Sequence, residues 1–506
     1  MLLIYPPVAR SSEPPPGIAR LAGFLRGNGR EARCLDLCQE GIDYLLTLEV
    51  GAQDTWTRGA LRRRESAAMA LRDIASYHSP DHYRRAVGDL NRALRASGET
   101  SLADYHESAR SPLRKNDLMD SARDHRSNVF HPLFERRIAS EMGNLWDGVV
   151  GISICYLSQA LCAFALIGLI HARHPGTRIV LGGGLVTSWV AGGSIAASET
   201  FGGLVEAVLP GPGERSLGAF LGLRVECRTA APDFDDFSGL DYFAPTRIVP
   251  YNLSSGCPWK RCVFCPETAE DMPYLGTPVQ VAVAEIRSMA DRYRPGLFHF
   301  TDNEISPLHL RSMAENPPGA PWYGFARFSQ QLLDRGFCEA LAASGCAMLQ
   351  LGLESGDQDV LNAMGKGTRI AEIARILGNL AAASIGTYIY VLFGTPSEDR
   401  SSAMKTRDFI AEHRAEMGFL NVAIFNLPAS GAEARKLETK AFYEGDLSLY
   451  REFSHPKGWD RAIVRDFLSH DFEAVPEIRE ILKRTPPVFT SNHAVFFIGS
   501  KRHPPS

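Results

Sequence analysis

The sequence predicts an α/β protein built as two consecutive modules: a doubly wound first domain with a helical insertion, then a partial (β/α)6 barrel with a small C-terminal domain. Three observations predict it. Short apolar strands alternate with helical segments at both ends of residues 1–225, the alternation resumes over 247–440, and a charged helical tract poor in strand signals fills about 45–140. Near-continuous apolar strands joined by crossover helices indicate parallel sheets buried on both faces.

The opening reads as strand (LLIYPP), helix (GIARLAGFLRGNG) and strand (EARCLDL), with Gly27 and Gly29 closing the helix. The insertion follows in TRGALRRRESAAMALRDIASY and YRRAVGDLNRALRASG, where the Arg62 to Arg64 run is read as a solvated helix face. Alternation resumes with DGVVGISICY, a helix from about Ser158 to Arg173, RIVLGGG, a helix near 193–198, and VEAVLPGPGE leading into a last helix. Ligands of doubly wound sheets sit at the carboxyl ends of the strands. The glycines at 182–184 and the GPGE string at 211–214 both lie there. Residues 226–246, rich in Pro, Asp and Gly, read as a linker. The second series has strands IVPYNLSS, LFHFTD, WYGFAR, AMLQLGLE, TYIYVLFG and FLNVAIFNL, and such barrels carry their active sites at the C-terminal strand ends. Residues 441–506 are expected to form a separate tail domain.

Composition bounds the function. At 506 residues, 45% apolar and 22% charged, the chain has the balance of a globular protein of two or three domains. A net charge of −4 argues against general nucleic-acid binding, which needs an excess of Lys and Arg. The start lacks the pattern of a secretory signal, and the longest apolar stretch, Ala160 to Ile170, falls short of a membrane span, so a cytoplasmic location is expected. Ten cysteines without even spacing argue against a disulfide framework.

Three of those cysteines, Cys257, Cys262 and Cys265, crowd into SGCPWKRCVFCP at 255–266, just after the first strand of the second series. Soft thiolates at such spacing select zinc or an iron-sulfur cluster. A structural zinc site wants four protein ligands, and no second cysteine pair follows at finger spacing. Three ligands leave one metal position open for a substrate or cofactor. The alternatives are a zinc knuckle completed by a histidine such as His299, or three unligated structural cysteines.

At these residues the sequence resembles the radical SAM superfamily, in particular its subset with an N-terminal cobalamin-binding-type (Rossmann-like) domain. The usual C-x3-C-x2-C motif is here C-x4-C-x2-C. The resemblance implies a [4Fe-4S] cluster on the three cysteines, S-adenosylmethionine on the open iron, and an electron donor such as flavodoxin or ferredoxin. Phe264 would cover cluster and adenine, or simply pack. Asp302, with Asn303 behind it in FTDNE, would lie near the methionyl end of the cofactor or cap the next helix. Glu354, in LGLESGDQDV, would accept hydrogen bonds from a ribose or an ammonium group, or cap its helix. Arg327 would neutralise a carboxylate of cofactor or substrate, or pair with Glu354. Gly394 and Pro396 would place backbone near adenine, or make a turn.

In the first domain the resemblance implies a cobalamin, with Ser153, Gly182, Gly183, Gly184, Gly213 and Glu214 against it. The D-x-H-x-x-G motif that supplies a histidine to cobalt is absent; the nearest string, DLCQEG at 36–41, has Cys38 in its place. The implied reaction is radical SAM methyl transfer to an unactivated centre of a small-molecule, lipid or peptide substrate. Cobalamin-independent hydrogen abstraction or rearrangement is the alternative within the class, and a non-catalytic corrinoid or redox-sensing module the alternative outside it.

Overall fold

The structure is a computed structural model that describes residues 1–52, 54–142, 148–223, 230–489 and 491–498. The chain divides into two compact units: Met1–Arg72, Arg85–Ala244 and Tyr443–Leu449 form the first, and Asp73–Arg84, Pro245–Phe442 and Tyr450–Ser506 the second.

Among the described residues the first unit holds a parallel sheet of β1 (Leu2–Tyr5), β2 (Arg33–Asp36), β3 (Val149–Ser153), β4 (Arg178–Gly182) and β5 (Ala207–Val208), in the order β2-β1-β3-β4-β5. This is the doubly wound arrangement that the sequence predicts, and its strand order reverses between β1 and β3. Helix Leu157–Arg173 is buried along most of its length, and it packs against the insertion helices Lys115–Arg123 and His131–Glu141. Its Gly168 permits the closest of these approaches: a Cβ there would stand 1.8 Å from the Ala122 carbonyl oxygen of helix Lys115–Arg123.

Two boundaries differ from the sequence expectation. The helix expected near 193–198 lies instead at Gly184–Ala191, starting directly after β4 because Gly183, at φ 102°, turns the chain at once. The linker residues 230–244 are tied to the first unit. Asp236 accepts from the Arg26 and Arg33 guanidinium groups at 2.6 and 2.7 Å and from the Cys34 amide at 2.8 Å. Residues 226–229 of the expected linker lie outside the described residues.

The second unit holds a parallel sheet of β6 (Ile248–Tyr251), β7 (Leu297–Phe300), β8 (Trp322–Ala326), β9 (Cys346–Glu354), β10 (Gly386–Phe393) and β11 (Phe419–Ile424), each strand beside its neighbour in sequence. Six sequential parallel strands with crossover helices match the predicted (β/α)6 series. The C-terminal residues do not stand apart as a tail domain. His493–Phe497 packs within this unit, where a Cβ at Gly386 or Gly418 would fall 2.5 or 2.6 Å from the Phe497 ring. Asn492 accepts from the Tyr83 hydroxyl and donates to that of Tyr77, both at 3.0 Å.

Because the added methyl would meet backbone rather than a side chain that can rotate away, Gly168→Ala should destabilise the first unit by about 1–3 kcal/mol. Denaturant unfolding followed by tryptophan fluorescence and circular dichroism measures it. An unchanged midpoint would refute the close packing of these two helices.

Candidate active site

The loop after β6 carries the three cysteines. None is in a disulfide, and each is half-buried. Lys260, at φ 45°, gives the loop a left-handed turn inside the first spacer, where the chain has one residue more than C-x3-C. Burial raises the Cys257 and Cys265 thiols, while the backbone N–H groups of Trp259 and Lys260 at the first, and of Glu267 and Thr268 at the second, favour the thiolates. Burial pushes the Cys262 thiol up to about 11, while the Lys366 and Arg327 charges pull it down. Among the described residues no three His, Cys, Asp or Glu side chains converge tightly enough to hold one metal ion. His299, the histidine named in the zinc-knuckle alternative, stacks on Tyr323 with ring centroids 4.4 Å apart.

The loop leans on the turn at 364–368. Val263 donates to the Met364 carbonyl at 3.0 Å and the Trp259 indole to the Gly365 carbonyl at 2.9 Å. A Cβ at Gly367, which adopts φ 68°, would lie 2.2 Å from the Trp259 ring, so this position accepts no side chain.

The other expected residues divide into those that face this loop and those that support it. Asp302 is buried and fully engaged, accepting from the Leu253 amide at 2.9 Å and the Ser254 hydroxyl at 2.5 Å. It anchors the start of the cysteine loop, and burial raises its carboxyl to about 6. Ser306, rather than Asp302 or Asn303, caps the following helix. Arg327 does not pair with Glu354: its guanidinium lies 3.8 Å over the Trp259 ring and donates to the Lys366 carbonyl. Glu354, at φ 61° where β9 shifts register against β10, folds back over Gly352 and accepts from the Lys366 ammonium at 2.8 Å. Asp357 caps the next helix in its stead. Phe264 is half-buried with its ring 5.7 Å from that ammonium.

Gly394 donates to Glu398, and Pro396 is half-exposed. Glu398 is fully buried, takes a second bond from the Trp459 indole at 3.0 Å, and has one oxygen without a partner among the described residues. Two residues at the cysteine loop were not singled out from sequence. Glu304 accepts from the Cys257 thiol at 3.5 Å, and its carboxyl is raised by burial; its signal was the last letter of FTDNE. Lys366 was legible only as the lysine of an MGKGT turn.

In the first unit the expected cofactor loops sit at the carboxyl ends of β3, β4 and β5. Ser153 lies 3.7 Å from the Cys155 sulfur. Gly182 and Gly184 have no neighbour closer than 3.4 and 3.9 Å to an added Cβ, whereas one at Gly183 would collide with the Ile154 backbone at 2.4 Å. Gly183 is thus required by the protein's own packing. An added Cβ at Gly213 would meet Leu21 at 3.0 Å, and Glu214 pairs with Arg20 at 3.1 Å. Cys38 is buried, its sulfur bonded to the Ala9 amide at 3.0 Å and facing the Ser11 hydroxyl at 3.1 Å. The Cys38 sulfur is thus engaged within the protein's own packing.

Residues 251–410 match the family model of the Radical SAM superfamily. That segment, the cysteine loop included, is therefore similar to a radical SAM domain. The bacteriochlorophyllide d C-12(1)-methyltransferase of Chlorobaculum tepidum is 28% identical over 180 residues, 34% of this chain and 39% of that protein. The matched segment therefore spans well under half of that relative's length. The radical S-adenosylmethionine methyltransferase TsrM from Kitasatospora setae, solved with cobalamin and a [4Fe-4S] cluster bound, superposes with a TM-score of 0.56 at 15% identity over 96% of this chain and 92% of its own. The same enzyme with tryptophan substrate and the analogue aza-SAM gives 0.53 at 15% identity over 97% and 92%. At such identity the likeness establishes a shared fold, and it extends over nearly the whole chain. Among the described residues no helix is long and apolar enough to cross a membrane.

Burial dominates the raised carboxyl of Glu398, from 4.5 to about 7. Folding thus favours the protonated form, so its contribution to stability is full below about 4.5 and is lost as pH rises through about 7. Relative to Glu398→Gln, the wild type should lose up to about 3 kcal/mol over that window. Denaturant midpoints of both proteins across pH test this, and a constant difference would refute the buried-carboxyl assignment.

Proposed function

We propose that the chain is a cobalamin-dependent radical SAM methyltransferase, with a [4Fe-4S] cluster on Cys257, Cys262 and Cys265, S-adenosylmethionine on the open iron, and cobalamin in the first unit. The observation that carries it is the cysteine loop inside a radical SAM domain. Its thiols are unpaired, two receive backbone N–H groups, and the third has two cations beside it. Thiolates of such clusters are tuned by hydrogen bonds of this kind.

When bound, the cluster and S-adenosylmethionine supply one-electron cleavage to methionine and a 5′-deoxyadenosyl radical, and cobalamin supplies a methyl carrier. The protein's own residues position and shield. Glu354 holds a carboxylate where a ribose hydroxyl or an ammonium can donate to it, Phe264 covers one side, and the Gly394 to Pro396 backbone offers a surface for adenine. Asp302 and Arg327 fix the loop. In the first unit, Gly182 and Gly184 beside Ser153, where a Cβ would meet no clash, would lie against the macrocycle, with Gly213 and Glu214 on the adjoining loop. Cys38 is enclosed, so cobalamin would bind without a ligand from DLCQEG. A flavodoxin or ferredoxin would supply the electron. One relative is named for bacteriochlorophyllide d and another was solved with tryptophan as substrate, so a small molecule is proposed here rather than a lipid or peptide.

Anaerobic reconstitution should load about four irons and four sulfides per chain. Replacing Cys257, Cys262 and Cys265 together with Ala should abolish both the iron and its charge-transfer absorption, while Cys38→Ala and Cys346→Ala keep them. Full iron in the triple variant would sink the assignment.

Cobalamin is tested at Gly184, since Gly183→Val would strain the fold whatever binds there. Gly184→Val should block hydroxocobalamin uptake while preserving the cluster and S-adenosylmethionine cleavage. If wild-type protein that loads its cluster takes up no cobalamin, the methyltransferase reading falls and hydrogen abstraction remains.

A further inference from the structure

We propose that His455, in its uncharged form, is a positioning residue that latches the loop at 394–399 in the shape that receives S-adenosylmethionine; that this loop meets the cofactor rests on the radical SAM reading above. The loop leaves β10 and ends where Asp399 caps helix Arg400–Glu412. Inside it the Glu398 amide donates to the Thr395 carbonyl at 2.9 Å. Three side chains from the turn at 455–459 then take hold of it. His455 Nε2 lies 2.9 Å from the Thr395 carbonyl oxygen, and the Trp459 indole donates to Glu398 at 3.0 Å. The Lys457 ammonium donates to the Ser397 carbonyl at 2.7 Å and to the Asp399 carboxylate at 3.0 Å.

The imidazole ring sets the shape of this turn. A carbonyl can only accept, so Nε2 carries a hydrogen. Nδ1 accepts from the Lys457 and Trp459 amides, both at 3.2 Å, so it carries none. Gly458, at φ 68°, supplies the left-handed step that brings both amides round to one nitrogen. Its partners thereby fix the ring as a single neutral tautomer. A proton on Nδ1 would face two N–H groups, and the bonds that aim Lys457 and Trp459 at the loop would be lost. Burial of the half-covered ring is the largest influence on its pKa and lowers it from 6.5, helped by Lys457, while the Thr395 carbonyl, Asp460 and Asp399 favour the cation. The Phe453 ring, 5.8 Å away, brings no charge. Because the unfolded imidazole takes up its proton first, the contribution of the latch is full above about pH 6.5 and is lost as pH falls below it.

The test compares cluster-loaded wild type with His455→Gln, whose amide can still donate to Thr395 but does not titrate, between about pH 8 and about pH 5.5. Amide hydrogen exchange of residues 394–399, corrected for the intrinsic rate, and equilibrium binding of S-adenosylmethionine are measured, with iron content at each pH. Protons taken up by the cofactor or by Glu398 act on both proteins and cancel in the ratio of one to the other. The wild-type excess in protection and in affinity should shrink on acidification, by up to about tenfold per pH unit, as linkage to one proton predicts. If the protection ratio is the same at every pH, the ring does not titrate against the loop and the inference is overturned. If protection moves with pH while the affinity ratio stays flat, the loop is latched without serving the cofactor, which overturns it as well. Should His455→Gln not hold its cluster, His455→Asn, equally unable to gain charge, decides by the same ratios. A wild-type chain that takes up no cluster overturns the radical SAM reading itself, whereas a loaded chain with flat ratios overturns the His455 assignment alone.

Discussion

The contact on which the second unit's site depends is the one between Trp259 and the turn at 364–368. A loop with almost no strand or helix of its own has no ladder to fix its shape, so its backbone groups must be satisfied elsewhere. Here the turn supplies two carbonyls, to Val263 and to the Trp259 indole, and Gly367 lets the ring lie flat against it. Arg327 closes the assembly from the end of β8 by covering the ring and bonding the Lys366 carbonyl. A cation over an aromatic face contributes only about 0.5–2 kcal/mol. Several such contacts at one ring over-determine the loop, and the same contacts set where Lys366, and through it Glu354, can reach.

The sequence made the cysteines legible because their chemistry is contained within nine residues. It also made the strands legible, since apolar runs punctuated by Gly and Pro survive into parallel sheets of the expected order. Side-chain roles were less legible where the partner is distant. Arg327 reads as a carboxylate binder until the tryptophan beneath it is seen, and nothing in LGLE announces the left-handed backbone that turns Glu354 inward. Asp302 is 48 positions from the Ser254 hydroxyl that it holds. The capping alternatives for Asp302 and Glu354 were set aside by Ser306 and Asp357, whose sequence positions directly ahead of their helices could have shown it.

In the first unit, glycine was informative about need but not about its cause. Three consecutive glycines suggested room for a ligand, yet the middle one answers to Ile154, while a Cβ at either neighbour would make only ordinary contact with the Leu209 or Cys155 carbonyl oxygen. A glycine run is thus a composite of packing demand and binding demand. Coordinates separate the two where letters do not.

The plug formed by Asn492, Phe496 and Phe497 has a bearing on how the second unit comes into being. Tyr83 and Asn492 are bonded across 409 positions of chain, so a segment made early must wait for one made late before the interior can close. Contacts of such separation carry a large loop-closure cost and form slowly. Until residues near 497 leave the ribosome, the floor at Gly386 and Gly418 has nothing to lie against. The nascent barrel then shows apolar surface of the kind that chaperones hold. Closure of this unit's interior therefore depends on a segment far along the chain from the strands that it covers.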